Sequence, residues 1–296
     1  MTKVVVTGGC GFIGSHIVDR LVSLNFIVEV IDDLSAPENV EFFYNDSAKY
    51  HKLDISKDDC SFVFKDASYV FHLAARSRIQ PTIKSPSSCF EVNILGTQRV
   101  LEWSRKARVE KLVYSGTSSL YGHQNTIPFQ PNMPADCLNP YSMTKWMGEQ
   151  ACKLYSQNYN LKTIVLRYFN VYGPREPLKG EYAPVIGLFK RQSRNGDPMT
   201  IVGDGTQKRD FTYIDDVVDA NIDAMNLEKE TLFEIYNVGS GINYSINEIV
   251  EMIGGEKIML PARPSEVQET LAEIKKTKED LGWSPKFKLS DMILSY

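Results

Sequence analysis

Through the first half of the chain, short continuous apolar runs alternate with segments whose apolar residues recur every three or four positions. "KVVVTG" comes first, and Ile13, Ile17, Leu21 and Leu24 follow it at helical spacing. The runs "FIVEVID", "KYHKLDI", "YVFHLAA" and "EKLVYSG" come next, with a long helical pattern from about Ser87 to Lys106 between the last two. "KTIVLRYF" then follows a helix that begins near Tyr141. Strands without polar alternation are buried on both faces, and their regular alternation with helices makes them parallel. The pattern predicts an α/β fold, a doubly wound parallel sheet with helices on both sides. Past about residue 172 the texture changes to Pro- and Gly-rich loops ("YGPREPLKGEYAP", "VGDGTQKRDF"), two more strands ("MTIVG", "FEIYNVG") and charged helices. Residues 1–171 read as one domain to which 210–240 return, and 172–296 mainly as a smaller α/β domain.

Composition narrows the possible partners. The net charge of −4 gives no electrostatic case for nucleic acid or an anionic membrane, so an anionic ligand needs a local cluster of cations. Apolar runs such as "TIVL" are too short to span a bilayer. With the first strand beginning at once, no signal peptide is expected. Five cysteines are scattered without a C-x-x-C, and four histidines lie far apart. The expectation is a reduced, cytoplasmic protein without a zinc or other metal site.

"TGGCGFIGS" joins the first strand to the first helix and places Gly8, Gly11 and Gly14 in a G-x-x-G-x-x-G spacing. Glycines there permit a tight turn, close approach of the backbone to a pyrophosphate, and close helix–strand packing, with the helix N-terminus facing the anion. Ser15 stands where a Walker A loop requires lysine, which argues against a nucleoside-triphosphatase loop. The second strand ends in "VIDDLS", and Asp32 lies eighteen residues beyond Gly14, the register of a carboxylate that accepts from an adenosine ribose. No Arg or Lys follows at once to neutralise a 2′-phosphate, so the expected cofactor is NAD on a Rossmann domain. Asp54 and Ile55, at the end of the third strand, are weaker candidates for contacts with adenine.

In "NPYSMTKWMGEQ", Tyr141 precedes Lys145 by four residues in what reads as the first turn of a helix, with Asn139 and Pro140 suited to its start. Such residues are neighbours on a helix, so the ammonium can favour the phenolate. A surface Tyr–Lys pair without chemistry has the same spacing. To act as a base at neutral pH the phenol must titrate about three pH units lower than usual, roughly 4 kcal/mol.

Taken with "FHLAA", "NILGT", "YSGTSSLYG", "LRYFNVYGP", "RDFTYIDDVV" and "RPSEVQETLAEIKKTKEDLGW", these segments resemble the extended short-chain dehydrogenase/reductase family along nearly the whole chain. Within it the likeness is to nucleotide-sugar 4-epimerases of the UDP-glucose 4-epimerase type. The resemblance implies a catalytic trio of Tyr141 as base, Lys145 on the nicotinamide ribose, and Thr117 on the reacting sugar oxygen. It implies cofactor contacts from Gly8, Gly11, Phe12, Ile13, Gly14, Asp32, Asp33, Asp54, Ile55, Leu73, Ala74, Ala75 and Tyr168 besides Tyr141 and Lys145. Substrate contacts are implied for Thr117, Ser118, Asn170, Val185, Val202 and Thr270, with Arg209 and Arg263 on the diphosphate and Glu266 on the nucleotide ribose.

By that pattern, related 4,6-dehydratases carry an acid and a base just after the threonine. Here those positions are Ser118 and Ser119, so dehydration is unsupported, and Ser119 equally fits a turn that bonds its own backbone. The implied reaction is C4 epimerisation of a UDP-sugar or another nucleotide-diphosphate sugar through a 4-keto intermediate, with NAD retained between turnovers. Many relatives carry an aromatic where Val202 stands, which loosens the expectation of a uracil base. Thr270 is small where family members border the sugar's 2-substituent, so N-acetylated sugars are expected to fit; a water-facing residue at the start of a terminal helix is the alternative. A homodimer is the family's expectation. The rival readings are a dehydratase or reductase of the same fold, or a non-catalytic dinucleotide sensor.

Overall fold

The computed structural model describes residues 1–36, 41–177, 183–262 and 267–296. Its centre is a seven-stranded sheet formed by β1 (Lys3–Thr7), β2 (Ile27–Asp32), β3 (Lys49–Lys52), β4 (Ala67–His72), β5 (Lys111–Thr117), β6 (Lys162–Tyr168) and an edge strand, Phe233–Val238. The spatial order is edge strand, β6, β5, β4, β1, β2, β3, and every neighbouring pair is parallel. The doubly wound sheet read from the apolar pattern is thus the observed one. Val4, Val5 and Val6 show why the pattern was continuous: all three are fully buried, Val4 and Val6 in the core on one face and Val5 in the core on the other.

The strand order reverses between β1 and β4, which opens a crevice at the carboxyl ends of the strands. That reversal places the Gly8–Gly14 loop, which leads from β1 into the helix Phe12–Ser23, at the head of the crevice.

The helix Pro140–Tyr159 starts as the sequence indicated. Asn139 caps it by accepting from the Ser142 N–H at 2.9 Å, the Ser142 hydroxyl accepts from the Asn139 N–H at 3.3 Å, and Pro140 occupies the first turn. The stretch expected as one helix from Ser87 to Lys106 is helical but interrupted. Pro86–Phe90 passes into a wider π-helical turn, Glu91–Gly96, before Thr97–Ala107 resumes the α-helix. In that turn Asn93 accepts from the Arg76 N–H at 2.7 Å and donates to the Arg76 carbonyl at 3.1 Å and to the Thr144 hydroxyl at 3.0 Å. The extra residue per turn aims one amide at both the loop after β4 and the Tyr141 helix. The third strand ends at Lys52, so Asp54 and Ile55 lie in the turn beyond it.

Two buried polar groups lock the sheet to its helices. His72, at the end of β4, is held between the hydroxyls of Thr7 (2.7 Å) and Thr97 (2.9 Å). Burial, aided by the charge of Lys145, pushes its pKa down to about 3, so the ring is neutral at physiological pH. On the other side of β5, Glu149 and Arg167 form an ion pair at 2.7 Å, both buried. Gly116 leaves room for it, since a Cβ there would lie 3.0 Å from Glu149 Oε1.

The later residues add three small two-stranded sheets: Val171–Tyr172 with Thr212–Tyr213, Lys208–Asp210 with Asn243–Ser245, and Met199–Val202 with Lys257–Leu260. Asp210 ties this region together. Its buried carboxylate accepts from the Ser240 N–H and hydroxyl (both 2.7 Å) and from the N–H groups of Gly241 and Ala272 (both 3.0 Å).

Candidate active site

A cavity of about 840 Å³ runs from the glycine loop, along the carboxyl ends of the central strands, into the small sheets of the later half. The structure brings the sequence-derived candidates into its wall. Gly8, Gly11, Phe12, Ile13, Gly14, Asp32, Asp33, Asp54, Ile55, Leu73, Ala74 and Ala75 line one end. Thr117, Ser118, Tyr141, Lys145 and Tyr168 line the middle, and Asn170, Val185, Val202, Arg209 and Thr270 the other end. Arg263 and Glu266 lie outside the described residues.

At the glycine end the backbone requires what the spacing indicated. Gly8 has φ +74°, and a Cβ on it would lie 2.7 Å from the Ala74 nitrogen. A Cβ on Gly14 would lie 2.2 Å from the Gly8 carbonyl oxygen. Side chains at either position would fill the cradle or push the helix Phe12–Ser23 off the loop. That helix has no side-chain cap, so its first N–H groups remain available to an anion. Asp32 accepts from the N–H groups of Cys10 and Leu34, both at 2.9 Å. These bonds fix the carboxylate and leave further lone pairs for a ribose diol. A dinucleotide fits this end: the cradle admits a pyrophosphate, and a carboxylate stands at the ribose register.

At the middle, β5 ends in Thr117 while the first turn of the Pro140–Tyr159 helix supplies Tyr141. Both line the cavity. Thr117 also caps the short turn Ser118–Tyr121, its oxygen accepting from the Ser119 N–H at 3.2 Å and its hydroxyl donating to Ser119 Oγ at 3.2 Å. Lys145 is almost wholly buried, with Nζ 4.2 Å from the centroid of the Tyr114 ring. Burial brings its pKa down to about 8. Burial also pushes the Tyr141 phenol up, against the Thr117 hydroxyl and the Arg78 guanidinium, which draw it down. The Tyr168 hydroxyl is engaged by Ser115 (3.1 Å) and Asn221 (2.9 Å), so only its ring faces the cavity.

At the far end, Arg209 donates to the carbonyls of Lys208 (2.9 Å) and Gln268 (3.3 Å). Thr270 is buried in an extended segment rather than at the start of a helix. Its N–H donates to the Lys208 carbonyl at 3.1 Å and its oxygen accepts from the Asp210 N–H at 3.3 Å. Asn170 donates to the Asp210 carbonyl at 2.8 Å.

Four residues of this region carried no assignment from sequence. Asn93 and Asp210 act through the loops they brace. Arg76 reaches back across the adenosine end, donating to the Ser35 hydroxyl and lying 3.7 Å from the Asp33 carboxylate. Arg78 stands in the cavity wall at the head of the helix Ile79–Lys84. The visible signal was "ARSR" shortly after a strand of the switch region, two cations where the sheet's crevice must open.

A reversed parallel sheet, a glycine cradle and a ribose-register carboxylate define a dinucleotide-binding protein of the Rossmann class. The chain belongs to the NAD dependent epimerase/dehydratase family, whose model matches residues 4–239. It is 38% identical to a putative UDP-glucose 4-epimerase of Methanocaldococcus jannaschii, over 98% of this chain and 95% of that protein. Among solved structures it is similar to the UDP-glucose 4-epimerase of Thermotoga maritima with UDP-glucose (TM-score 0.92, 34% identity, 99% of this chain and 96% of that one). It is also similar to the UDP-glucuronic acid 4-epimerase of Bacillus cereus in complex with UDP-glucuronic acid and NAD (TM-score 0.91, 32% identity, 99% and 96%). The cofactor is NAD. Among the described residues no helix is long and apolar enough to cross a membrane.

Proposed function

We propose that the protein epimerises a UDP-sugar, or another nucleotide-diphosphate sugar, at C4 through a 4-keto intermediate. One observation carries this reading: Tyr141 and Thr117 line one cavity with the dinucleotide cradle, and serines alone follow Thr117. Bound NAD supplies the acceptor, and on return the donor, of the C4 hydride. The chain's own part is to move one proton and hold the sugar. Tyr141, as phenolate, takes the C4 hydroxyl proton, and Thr117 keeps a hydrogen bond to that oxygen. After the 4-keto sugar turns its other face, Tyr141 gives the proton back. Ser118 and Ser119 offer neither the acid nor the base that expulsion of water requires. Lys145 is assigned to the nicotinamide ribose and Arg209 to the diphosphate, the latter through its fork of donors. By the family pattern, Arg263 joins Arg209 on the diphosphate and Glu266 holds the nucleotide ribose.

Incubation of the purified protein with UDP-glucose and UDP-N-acetylglucosamine, without added NAD, tests the reading. The expected products are the C4 epimers with unchanged mass, the acetamido sugar being admitted because small Thr270 borders the cavity. Loss of water from either sugar, or stoichiometric consumption of reduced cofactor, would overturn it. Conversion of the hexose alone would remove Thr270 from the account of specificity.

The division into a cofactor half, 1–171 with 210–240, and a substrate half, and residence in the cytoplasm, belong to the same proposal. So does a homodimer. Met143, Met147 and Leu154 are exposed along the Pro140–Tyr159 helix, at spacings that put them on one face, and Phe90 and Leu95 are exposed on the helical stretch packed beside it. Pairing these faces in two copies covers them. Light scattering is expected to give twice the chain mass, and a monomer at micromolar concentration would refute the pairing.

A further inference from the structure

β2 and β4 flank β1 in the central sheet, so their carboxyl ends stand two strand spacings apart, roughly 10 Å. The glycine loop leaves β1 between them. One side chain crosses that gap. Arg76 lies on the segment after β4, and its guanidinium donates to the hydroxyl of Ser35, on the segment after β2. Its other terminal nitrogen lies 3.7 Å from the Asp33 carboxylate. Both ends of the bridge are prepared for it. Ser35 gives its own hydroxyl proton to Asp33 at 2.5 Å, which leaves the oxygen lone pairs to accept from the guanidinium. The Ser35 N–H donates to the same carboxylate at 3.0 Å. At the root, the buried Asn93 amide grips the Arg76 backbone through its N–H (2.7 Å) and its carbonyl (3.1 Å).

Gly8, Gly11, Asp32, Asp33, Ser35 and Arg76 share one cavity wall, so a pyrophosphate in the glycine cradle lies beside the bridge. Positive charge has a task there. Asp32, Asp33 and Asp54 bring three carboxylates to this end of the wall, and the pyrophosphate of NAD adds further negative charge. From Thr7 to Ser15 the loop and the start of its helix contain no lysine or arginine. No cation follows Asp32 closely in sequence either; the fold brings one to its neighbour Asp33 from the far side of β1. A guanidinium has five donors, more than Ser35 and Asp33 take up, and the remainder suit phosphate and ribose oxygens.

We propose that Arg76 is a cofactor-holding residue. Its guanidinium closes over the adenosine half of bound NAD, and the bridge to Ser35 and Asp33 must part before the dinucleotide can leave. The two adjacent carboxylates then divide the work, Asp32 serving the ribose and Asp33 anchoring the bridge. Retention has a use in the epimerase reading, where hydride given up at C4 must come back from the same dinucleotide. The bridge itself rests on the NAD site and not on that reading.

The rate at which NAD leaves the purified holoenzyme, with no sugar present, tests this. Isotope-labelled NAD is bound, a large excess of unlabelled NAD is added, and the label remaining on the protein is followed with time. Arg76→Met is expected to release NAD roughly 10- to 100-fold faster than wild type, the effect of losing charged hydrogen bonds. Ser35→Ala, which removes the anchor and keeps the arginine, should speed release about three- to tenfold. Because both act through one bridge, the double variant should match Arg76→Met within about twofold. Arg76→Lys, which keeps the charge and loses the fork, should fall between wild type and Arg76→Met. A merely structural arginine would lower the unfolding temperature and leave release well below that temperature unmoved. That result, or single-variant effects that multiply in the double variant, overturns the proposal. If Arg76→Met does not fold, Ser35→Ala decides alone, and release unchanged from wild type overturns the bridge.

Discussion

Replacing Tyr141 with Phe is expected to lower turnover by about a thousandfold while leaving NAD on the protein. The substitution removes one hydroxyl and keeps the half-buried ring that helps wall the cavity. Loss of a positioned acid–base group costs ~10²–10⁴-fold. The upper part of that range applies because the described wall beside it holds no second base: Ser118 and Ser119 are hydroxyls, and Lys145 is a buried cation that donates rather than accepts. Turnover on UDP-sugars, with NAD measured after denaturing the same sample, separates the two effects. Activity within tenfold of wild type would show that another group moves the proton. Joint loss of activity and NAD would show that the ring, not the hydroxyl, is what matters.

The second large effect is on stability. Glu149→Leu should cost roughly 3–5 kcal/mol, because it strands the Arg167 guanidinium in the interior. Arg167 would keep its bonds to the Tyr121 hydroxyl (2.8 Å) and the Pro131 carbonyl (3.0 Å), but lose its only carboxylate among the described ion pairs. Water cannot replace it, since both side chains are buried between the Tyr141 helix and β6. The double variant Glu149→Leu, Arg167→Met should regain a good part of the loss, as paired replacement of buried ions by apolar residues commonly does. Denaturant titration of the three proteins measures this. A single-variant loss below about 1 kcal/mol, or a double variant no better than the single, would mean that the pair does not carry the load assigned to it.

The same contrast between local and distant determinants explains what could be read from the sequence. β1 was legible because Val4, Val5 and Val6 are buried on both faces, so no polar alternation interrupts them. The glycine loop was legible because its constraints are local: the clash at Gly14 is with Gly8, six residues away. The helix start at Asn139 was legible for the same reason. Arg78 was not, because its meaning depends on Tyr141, more than sixty residues further along the chain. Asp210 was not, because a lone aspartate in "KRDF" gives no sign that Ser240, Gly241 and Ala272 will converge on it. The π-helical turn at Glu91–Gly96 keeps a helical pattern in sequence and differs only in where it aims Asn93. Thr270 left two readings open, and burial against the Lys208–Asp210 strand separates them.

The central claim is that one hydride leaves C4 and returns to the opposite face of the same carbon, with Tyr141 moving the proton. The most direct measurement is the fate of deuterium placed at C4 of UDP-glucose and of UDP-N-acetylglucosamine, followed by mass spectrometry and NMR through conversion to the epimer without added NAD. The expected result is an epimer that keeps the deuterium at C4, gains none from solvent and has the starting mass. Washout of the label into water, or a product short of one water, would contradict it.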